Sequence, residues 1–392
     1  MADLPSLSSL HAQLTRRMPD PGVRNGVLLA LLLGTVGGAL AARAGLPLPW
    51  MLGPMLLCAI AALAGAPLVG PVRARPIVVP VLGVMLGSGF TPEILGQLNT
   101  WAATFALLPV FILISGALAW VIYRHVGGYD ARTAFFCAAP GGLNEMILMG
   151  AEAGADERRI ALSHAVRVFL VISIVALFFA ILEGTTTAGL GAAAVRISDL
   201  SFGAGAALLA CAVLGGPLAR MARLPAAQLF GPMVLSAALH LTGIVADPPP
   251  TLFVIVAQVV IGTVLGCRFV GATLRDTGRD IALSSAAALA LLCVTIVFAL
   301  AVMLLTEEPW TQAVLAYAPG GLAEMSLLAL AKNQDVAYVA TAHVARIVLV
   351  LFMVRPVFAL LAEHLPPPPA AAAPDGTSRD GAAEETPDDG GR

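Results

Sequence analysis

Charged residues are scarce in this chain. They make up 12% of its 392 residues, about half the share that is usual in soluble domains, whereas hydrophobic residues make up 58%. The mean hydropathy is +0.89. This composition excludes an ordinary soluble domain and predicts an all-α integral membrane protein, because a helix satisfies its own backbone hydrogen bonds in lipid.

Two further shortages exclude classes of function. The net charge is −2, so no basic field attracts nucleic acid, and we expect no nucleic-acid partner. The five cysteines stand singly and without CxxC spacing, which indicates small packing residues. The membrane histidines are scattered, so we expect no metal site, no cofactor and no copper enzyme, nor any other enzyme activity.

A motif that interrupts two apolar segments is the most informative feature present. The sequence PGGLNEM at 140–146 returns as PGGLAEM at 319–325. Pro-Gly-Gly frees backbone groups that lipid cannot satisfy, and a glutamate in hydrocarbon costs about 2.5 kcal/mol or more. Each copy therefore predicts a helix that is broken at Pro-Gly-Gly and that lines a cavity or is buried in protein.

The two motifs belong to a longer internal duplication. His164 and His343 differ by 179 positions, and so do Arg167 and Arg346, while motifs further upstream differ by 178. Chance matches in sequence rich in alanine and leucine would not keep such rare residues in step. The chain is therefore predicted to contain two homologous repeats of about five to six transmembrane segments each.

The predicted organisation has five parts. They are a cytoplasmic N-terminal segment at 1–25, repeat 1 at 26–183, a linker at 184–202, repeat 2 at 203–362, and a disordered tail rich in Pro, Ala, Asp and Glu at 363–392. Arginines flank the first apolar run, which predicts a cytoplasmic N-terminus.

Each broken segment is followed by a long helix that carries a deep arginine. The first of these helices is predicted to begin near Asp156, which places Arg167 about 15 Å along it, close to the bilayer centre. His164 lies one turn earlier on the same face, and the second copy repeats the arrangement after Asp335.

Several roles are open for these charges. Pairing Glu145 with Arg167 and Glu324 with Arg346, or crossing the pairs between halves, would avoid unpaired charges at depth. The free N-H groups of each downstream half-helix, together with the arginines, favour an anionic ligand over a bare cation. The glutamates could instead bind Na⁺ or carry a proton.

These considerations define the candidate substrate- or ion-binding residues: Pro140, Gly141, Gly142, Asn144, Glu145, Pro319, Gly320, Gly321, Glu324, His164, Arg167, His343 and Arg346. A purely structural reading treats the arginines as ion-pair residues and the histidines as core residues bonded to carbonyl groups. His240 is predicted to be structural, and the Gly-xxx-Gly spacings at 83–87 and 262–266 are predicted to serve helix packing.

The duplicated motifs also carry a family resemblance. The sequence around WMLGPM at 50–55, its echo LFGPM at 229–233, and the pairs APGGLNEM/APGGLAEM and HAVR/HVAR resemble the bacterial AbrB family over residues 26–362. This resemblance implies a multi-pass protein of the bacterial inner membrane. The labels attached to the family, gene-expression regulator and ammonia monooxygenase, do not follow from these residues.

The order of the short motifs within each half resembles, more distantly, the order found in the superfamily of bile-acid/sodium symporters and cation/proton antiporters. It implies a panel domain and a core domain, two broken helices that cross at mid-membrane, alternating access and a homodimer. Six spans per half would make the repeats parallel. The resemblance favours inverted repeats, which require that one segment per half does not span or that residues 184–202 contribute a crossing.

Two functions are consistent with these features. The first is a secondary transporter that moves a small, anionic solute across the lipid bilayer by alternating access, coupled to H⁺ or Na⁺. The second is a membrane-embedded regulator or sensor that affects gene expression through a partner. Asn144 has Ala323 as its counterpart, so the sequence already indicates that the two halves of a site would differ.

Overall fold

The computed structural model describes residues 21–90, 92, 101–182, 195–224, 226–272, 274–306, 308–332 and 334–363. The predicted N-terminal segment up to residue 20, the linker residues 184–194 and the tail from residue 364 lie outside the described residues. Within the described ranges the chain forms α-helices joined by turns and short 3-10 or π segments, without a strand. The predicted all-α class is confirmed.

The helices fall into two sets of seven. The first half contains α1 (Pro21–Arg43), α2 (Pro49–Leu63), α3 (Arg75–Gly87), α4 (Ala102–Val121), α5 (Ala131–Ala138), α6 (Leu143–Glu152) and α7 (Glu157–Leu182). The second half contains α8 (Phe202–Met221), α9 (Ala227–Leu241), α10 (Thr251–Gly266), α11 (Leu274–Leu305), α12 (Trp310–Tyr317), α13 (Leu322–Ala331) and α14 (Val336–Ala362).

Helix α11 extends beyond its apolar run. That helix begins at Leu274, whereas the apolar run begins at 281, because polar residues continue the helix beyond the apolar region. The two sets also share an unusual backbone feature. Leu48 and Ala226, which immediately precede α2 and α9, both adopt a left-handed conformation with φ 46°.

Within the described part of the chain, seven helices are long and apolar enough to cross a bilayer, namely α1, α4, α7, α8, α10, α11 and α14. They support a multi-pass membrane protein. The apolar helices α2 and α9 are shorter, at 15 residues each.

The segments that carry Pro-Gly-Gly fold back on themselves. At the base of the first segment, the backbone N-H of Asp156, just after α6, donates to Thr133 Oγ1 in the first turn of α5 at 2.9 Å. In the second segment, the backbone N-H of Asp335, just after α13, donates to Gln312 Oε1 near the start of α12 at 3.1 Å. Each segment therefore consists of two short helices that form a helical hairpin with Pro-Gly-Gly at its tip.

Hairpin depth follows from helix length. The eight residues of α5 rise about 12 Å, and a bilayer core is about 30 Å thick, so a hairpin based at the membrane surface places its tip near mid-bilayer. The reversal occurs because Pro-Gly-Gly cannot continue the helix and because the two short helices pack against each other.

Close helix packing connects the two halves. A Cβ at Gly83 in α3 would meet the carbonyl oxygen of Leu229 in α9, and a Cβ at Gly262 in α10 would meet that of Met51 in α2. The predicted packing role of these glycines is confirmed, and the contacts are exchanged, since α3 and α10 each pack on a helix of the other half.

The hairpins lie among the remaining long helices. Helix α11 packs against α4, α7 and α12, and α14 packs against α4, α12 and α13. Aromatic rings fill the space beside the second tip: the Tyr317 ring lies 5.1 Å from that of Phe111 and 5.8 Å from that of Phe298, measured between centroids.

Candidate functional site

The two hairpin tips have the same extended backbone. Ala139 and Gly142 have ψ angles of 125° and 139°, and Ala318 and Gly321 have ψ angles of 129° and 149°. None of the tip glycines has a positive φ. Their lack of a side chain therefore matters for space and not for backbone conformation.

Glycine at each tip leaves room for side chains one turn further along. A Cβ at Gly142 would collide with the carboxylate of Glu145, and a Cβ at Gly321 with that of Glu324. The preceding glycine has a similar role, since a Cβ at Gly141 would lie 2.8 Å from Cε of Met146. The motif Pro-Gly-Gly-Leu-x-Glu-Met is thus one packing unit.

The glutamates occupy the positive ends of their own helices. Glu145 and Glu324 lie in the first turns of α6 and α13, with their carboxylates folded back over the N-terminal glycines. A carboxylate there is stabilised by the free N-H groups and the helix dipole. The chain thus supplies a carboxylate of its own at each of these helix ends.

Arg346 holds the second hairpin tip. Its Nη1 donates to the carbonyl oxygens of Tyr317 and Ala318 at 3.3 and 2.7 Å, and its Nη2 donates to that of Gly320 at 3.2 Å. These carbonyls lie where α12 ends and therefore lack helical partners. A planar guanidinium with several N-H donors suits such a cluster of acceptors.

Arg167 holds the first tip with fewer bonds. Its Nη1 donates to the carbonyl oxygen of Ala139 at 3.2 Å. Among the described residues, no ion pair within 4.0 Å joins Arg167 or Arg346 to a carboxylate. The predicted pairs Glu145–Arg167 and Glu324–Arg346 are therefore not formed, because hairpin carbonyls take the guanidinium donors instead.

The histidines beside the arginines are buried and bonded to backbone. Arg346 Nη2 donates to Nδ1 of His343 at 2.8 Å, which leaves Nε2 to donate to the carbonyl oxygen of Leu315 at 2.9 Å. His343 is thus a neutral imidazole. His164 contacts the carbonyl oxygen of Ile160 through Nδ1 at 3.0 Å, whereas its buried Nε2 has no partner.

The two arginines lie close enough for their charges to interact. Arg167 is 6% exposed and Arg346 is 4% exposed. The positive charge of Arg167 acts on the guanidinium of Arg346. The Nε of each arginine is buried without a hydrogen-bond partner. Each of these two buried arginines therefore keeps one unused N-H donor in the interior.

The two glutamates differ in their surroundings. Glu145 is exposed, whereas Glu324 is only 9% exposed. The cations whose fields reach Glu324 are Arg75 and Arg268. Neither residue is among the candidates predicted from the sequence. One feature of the sequence points to Arg268. It ends an apolar helix, whereas the corresponding position of the other half, 179 residues earlier, is Gly89.

The remaining residues singled out from the sequence are the other tip residues, Asn144 and His240. Pro140, Pro319, Gly141 and Gly320 lie at the tips, and the side chain of Asn144 lies outside the described part. His240 is bonded through Nδ1 to the carbonyl oxygen of Ser236 at 2.7 Å, as expected of a structural histidine. Among the described residues, no group of three or more His, Cys, Asp or Glu side chains is placed to hold a metal ion.

Known proteins resemble this chain over most of its length. The model of the AbrB family, described as transition state regulatory protein AbrB, matches residues 50–362. "Uncharacterized protein YhjN" of Bacillus subtilis (strain 168) is 26% identical over 353 residues, which cover 84% of this chain and 92% of the relative.

A second relative gives the same result. "Putative regulator AbrB" of Escherichia coli (strain K12) is 26% identical over 347 residues, which cover 88% of this chain and 99% of the relative. The hairpin tips and the helices that carry the two arginines lie within the matched residues 50–362. The chain belongs to the AbrB family.

Proposed function

We propose that this protein is a secondary transporter that moves a small organic anion across the bacterial inner membrane by alternating access, coupled to H⁺ or Na⁺. The substrate binds between the two hairpin tips. Its carriage involves no covalent chemistry, so the protein is not an enzyme under this proposal.

The observation that carries the proposal is the pair of buried arginines, one beside each hairpin tip. Burying two interacting cations without a carboxylate is costly, and the charge of a bound anion would offset their repulsion. The two unpartnered Nε-H groups provide donors for it. A purely structural pair of arginines would be expected to use all of its donors on the protein.

An apolar cavity beside the first tip supports an organic substrate. It has a volume of about 260 Å³ and contacts the tip residues Ala139 and Pro140. Its other walls come from α4, α5 and α14, including Trp120, Phe135 and Met353. An amphipathic acid could place its apolar body here while its charged group interacts with the arginines.

The hairpins also supply a physical reason for inverted repeats. A hairpin leaves the membrane on the side where it enters, so each half would cross the bilayer five times, through α1, α2, α3, α4 and α7 or their counterparts. An odd number of crossings gives the second half the opposite orientation, so that two hairpins from opposite sides meet tip to tip.

Coupling is assigned to the exposed glutamate. Glu145 remains accessible, whereas Glu324 is buried among Arg75 and Arg268. We therefore propose that Glu145 binds the proton or Na⁺ and that Glu324 mainly holds the second tip. A cytoplasmic N-terminus, predicted from the arginines that flank the first apolar run, and a homodimer, implied by the resemblance, remain part of the proposal.

Transport can be tested in reconstituted vesicles. Purified protein in liposomes is challenged with sodium acetate, succinate and benzoate at several pH values, and charge movement is recorded on a solid-supported membrane. We expect a current with at least one acid that disappears in Arg167→Gln and Glu145→Gln but persists in Arg43→Gln, an exposed control. Equal currents in all four proteins would contradict the assignment.

A regulatory role is the second candidate, favoured by the description of the family as a transition state regulatory protein and by the name of the E. coli relative. It requires a surface that reaches a partner. Deleting residues 366–392 separates the two functions: a transporter should keep its flux without them, whereas a regulator that signals through the tail should lose its effect on expression.

A further inference from the structure

A second cavity lies against the first hairpin, outside the arginine pair. Its volume is about 370 Å³, and we call it the funnel. Its walls come from α7, from the turn that follows α10, from the start of α11 and from the first residue of α6. The lining residues that matter here are Leu143, Arg158, Ala165, Arg268, Gly271 and Thr277.

The funnel extends from the membrane surface toward a hairpin tip. Arg158 lies in the first turn of α7 and is exposed, whereas Ala165 lies about 10 Å deeper along the same helix. Leu143 immediately follows the tip of the first hairpin. A solute entering beside Arg158 would therefore reach the tip within the length of the funnel.

The charges that line the funnel are of one sign. Arg158 and Arg268 are its charged lining residues within the described chain, and Arg268 is half-buried. The fields of Arg75 and Glu324 also reach Arg268. The two lining arginines favour an anion in the funnel, because a cavity with low-dielectric walls concentrates the field of its lining charges.

The corresponding region of the second half differs in both residues and packing. Positions 179 residues away replace Arg158 with Ala337 and Arg268 with Gly89. Gly89 packs directly against α14, where an added Cβ would lie 2.9 Å from Cβ of Val336. The basic lining, to which the first half contributes Arg158 and the second half Arg268, is thus specific to the region beside the first hairpin.

We propose that the funnel is a binding site for a small anion bearing carboxylate or phosphate groups, held by Arg158 at the mouth and Arg268 at depth. Its use as the access route to the hairpin tips rests on the proposed transport function, whereas anion binding does not. Arg268 acts as the selecting residue, because its side chain is half-buried and its guanidinium can bind an oxyanion through two N-H groups.

Binding can be tested on the full-length protein in detergent. The midpoint of thermal unfolding is measured against increasing sodium succinate or sodium phosphate, with ionic strength held constant by sodium chloride. We expect saturable stabilisation by one of the two anions, with a half-saturating concentration raised about tenfold in Arg268→Gln and less in Arg158→Gln, since one charge-assisted hydrogen bond is lost. The exposed-site control Arg43→Gln should match the wild type.

The outcomes distinguish this inference from the transport proposal. Equal half-saturation in wild type and Arg268→Gln, or stabilisation that never saturates, would overturn the funnel site even if vesicle currents are present. A tenfold loss in Arg268→Gln, largely restored in Arg268→Lys, supports the site even if no current is found. Preference for succinate or for phosphate identifies the group that is recognised.

Discussion

The two buried arginines hold their hairpin tips with unequal numbers of hydrogen bonds. Arg346 donates to three carbonyl oxygens and to His343, whereas Arg167 donates to one carbonyl oxygen. The second tip is therefore anchored more firmly. Movement within the site should involve the first tip, which is also the one beside the exposed Glu145 and the funnel.

This difference predicts unequal losses of stability. Each buried carbonyl that loses its donor costs about 1–3 kcal/mol, so Arg346→Gln should destabilise the protein by at least about 2 kcal/mol more than Arg167→Gln. The measurement is the midpoint of chemical or thermal unfolding in detergent for both variants. Similar midpoints would mean that the two tips are held equally.

Replacing a tip glycine is predicted to destabilise the helix that follows it. A Cβ in Gly321→Ala must displace the flexible Glu324 carboxylate, so the helix loses its N-terminal anion while the backbone can remain in place. We expect a loss of about 0.5–2 kcal/mol. Gly278→Ala in α11, where nothing lies within 4 Å of the added Cβ, is the matched control and should be neutral or stabilising.

In each half, one pair of helices packs with glycine backbones in direct contact. Gly53 in α2 lies against the backbone of Gly37 in α1, and Gly231 in α9 lies against that of Gly215 in α8. An added methyl group would meet backbone atoms that cannot rotate away, so the helices themselves must separate.

Substitution at these contacts should consequently affect whole elements. Gly231→Ala is expected to destabilise the protein by about 1–3 kcal/mol or to reduce the yield of folded protein. Gly116→Ala in α4, where nothing lies within 4 Å, should leave the unfolding midpoint unchanged or raise it. The comparison fails if both variants unfold at the same temperature.

The whole molecule is asymmetric across its two halves. The funnel lies open beside the first hairpin, whereas Gly89 and Val336 are in contact beside α14 of the second half. Under alternating access, these two regions would exchange their open and closed states. A static regulator would have no need for such an exchange.

A cross-link tests this exchange. The double variant Gly89→Cys/Val336→Cys, made with Cys293→Ser because Cys293 is the exposed native cysteine among those described, should form a disulfide on oxidation. We expect vesicle currents to stop on oxidation and to return on reduction. Continued current in the fully cross-linked protein would show that this contact need not open.

Composition and local sequence determined much of this protein. The apolar helices, the helix starts at Asp156 and Asp335, and the packing role of Gly83 and Gly262 were predictable, because each depends on hydropathy, on capping chemistry or on the absence of a side chain. The resemblance to the AbrB family was also predictable from the repeated Pro-Gly-Gly motifs.

Only the tertiary structure decided how these parts are used. The same Pro-Gly-Gly is compatible with an interrupted helix or a hairpin, and the choice depends on contacts such as Thr133 with Asp156. The arginines bind carbonyl oxygens that become clustered only after the hairpin forms, so pairing by charge alone misassigned them. Near-identical motifs also gave one exposed and one buried glutamate, because burial depends on neighbours such as Arg268 that lie far away in sequence.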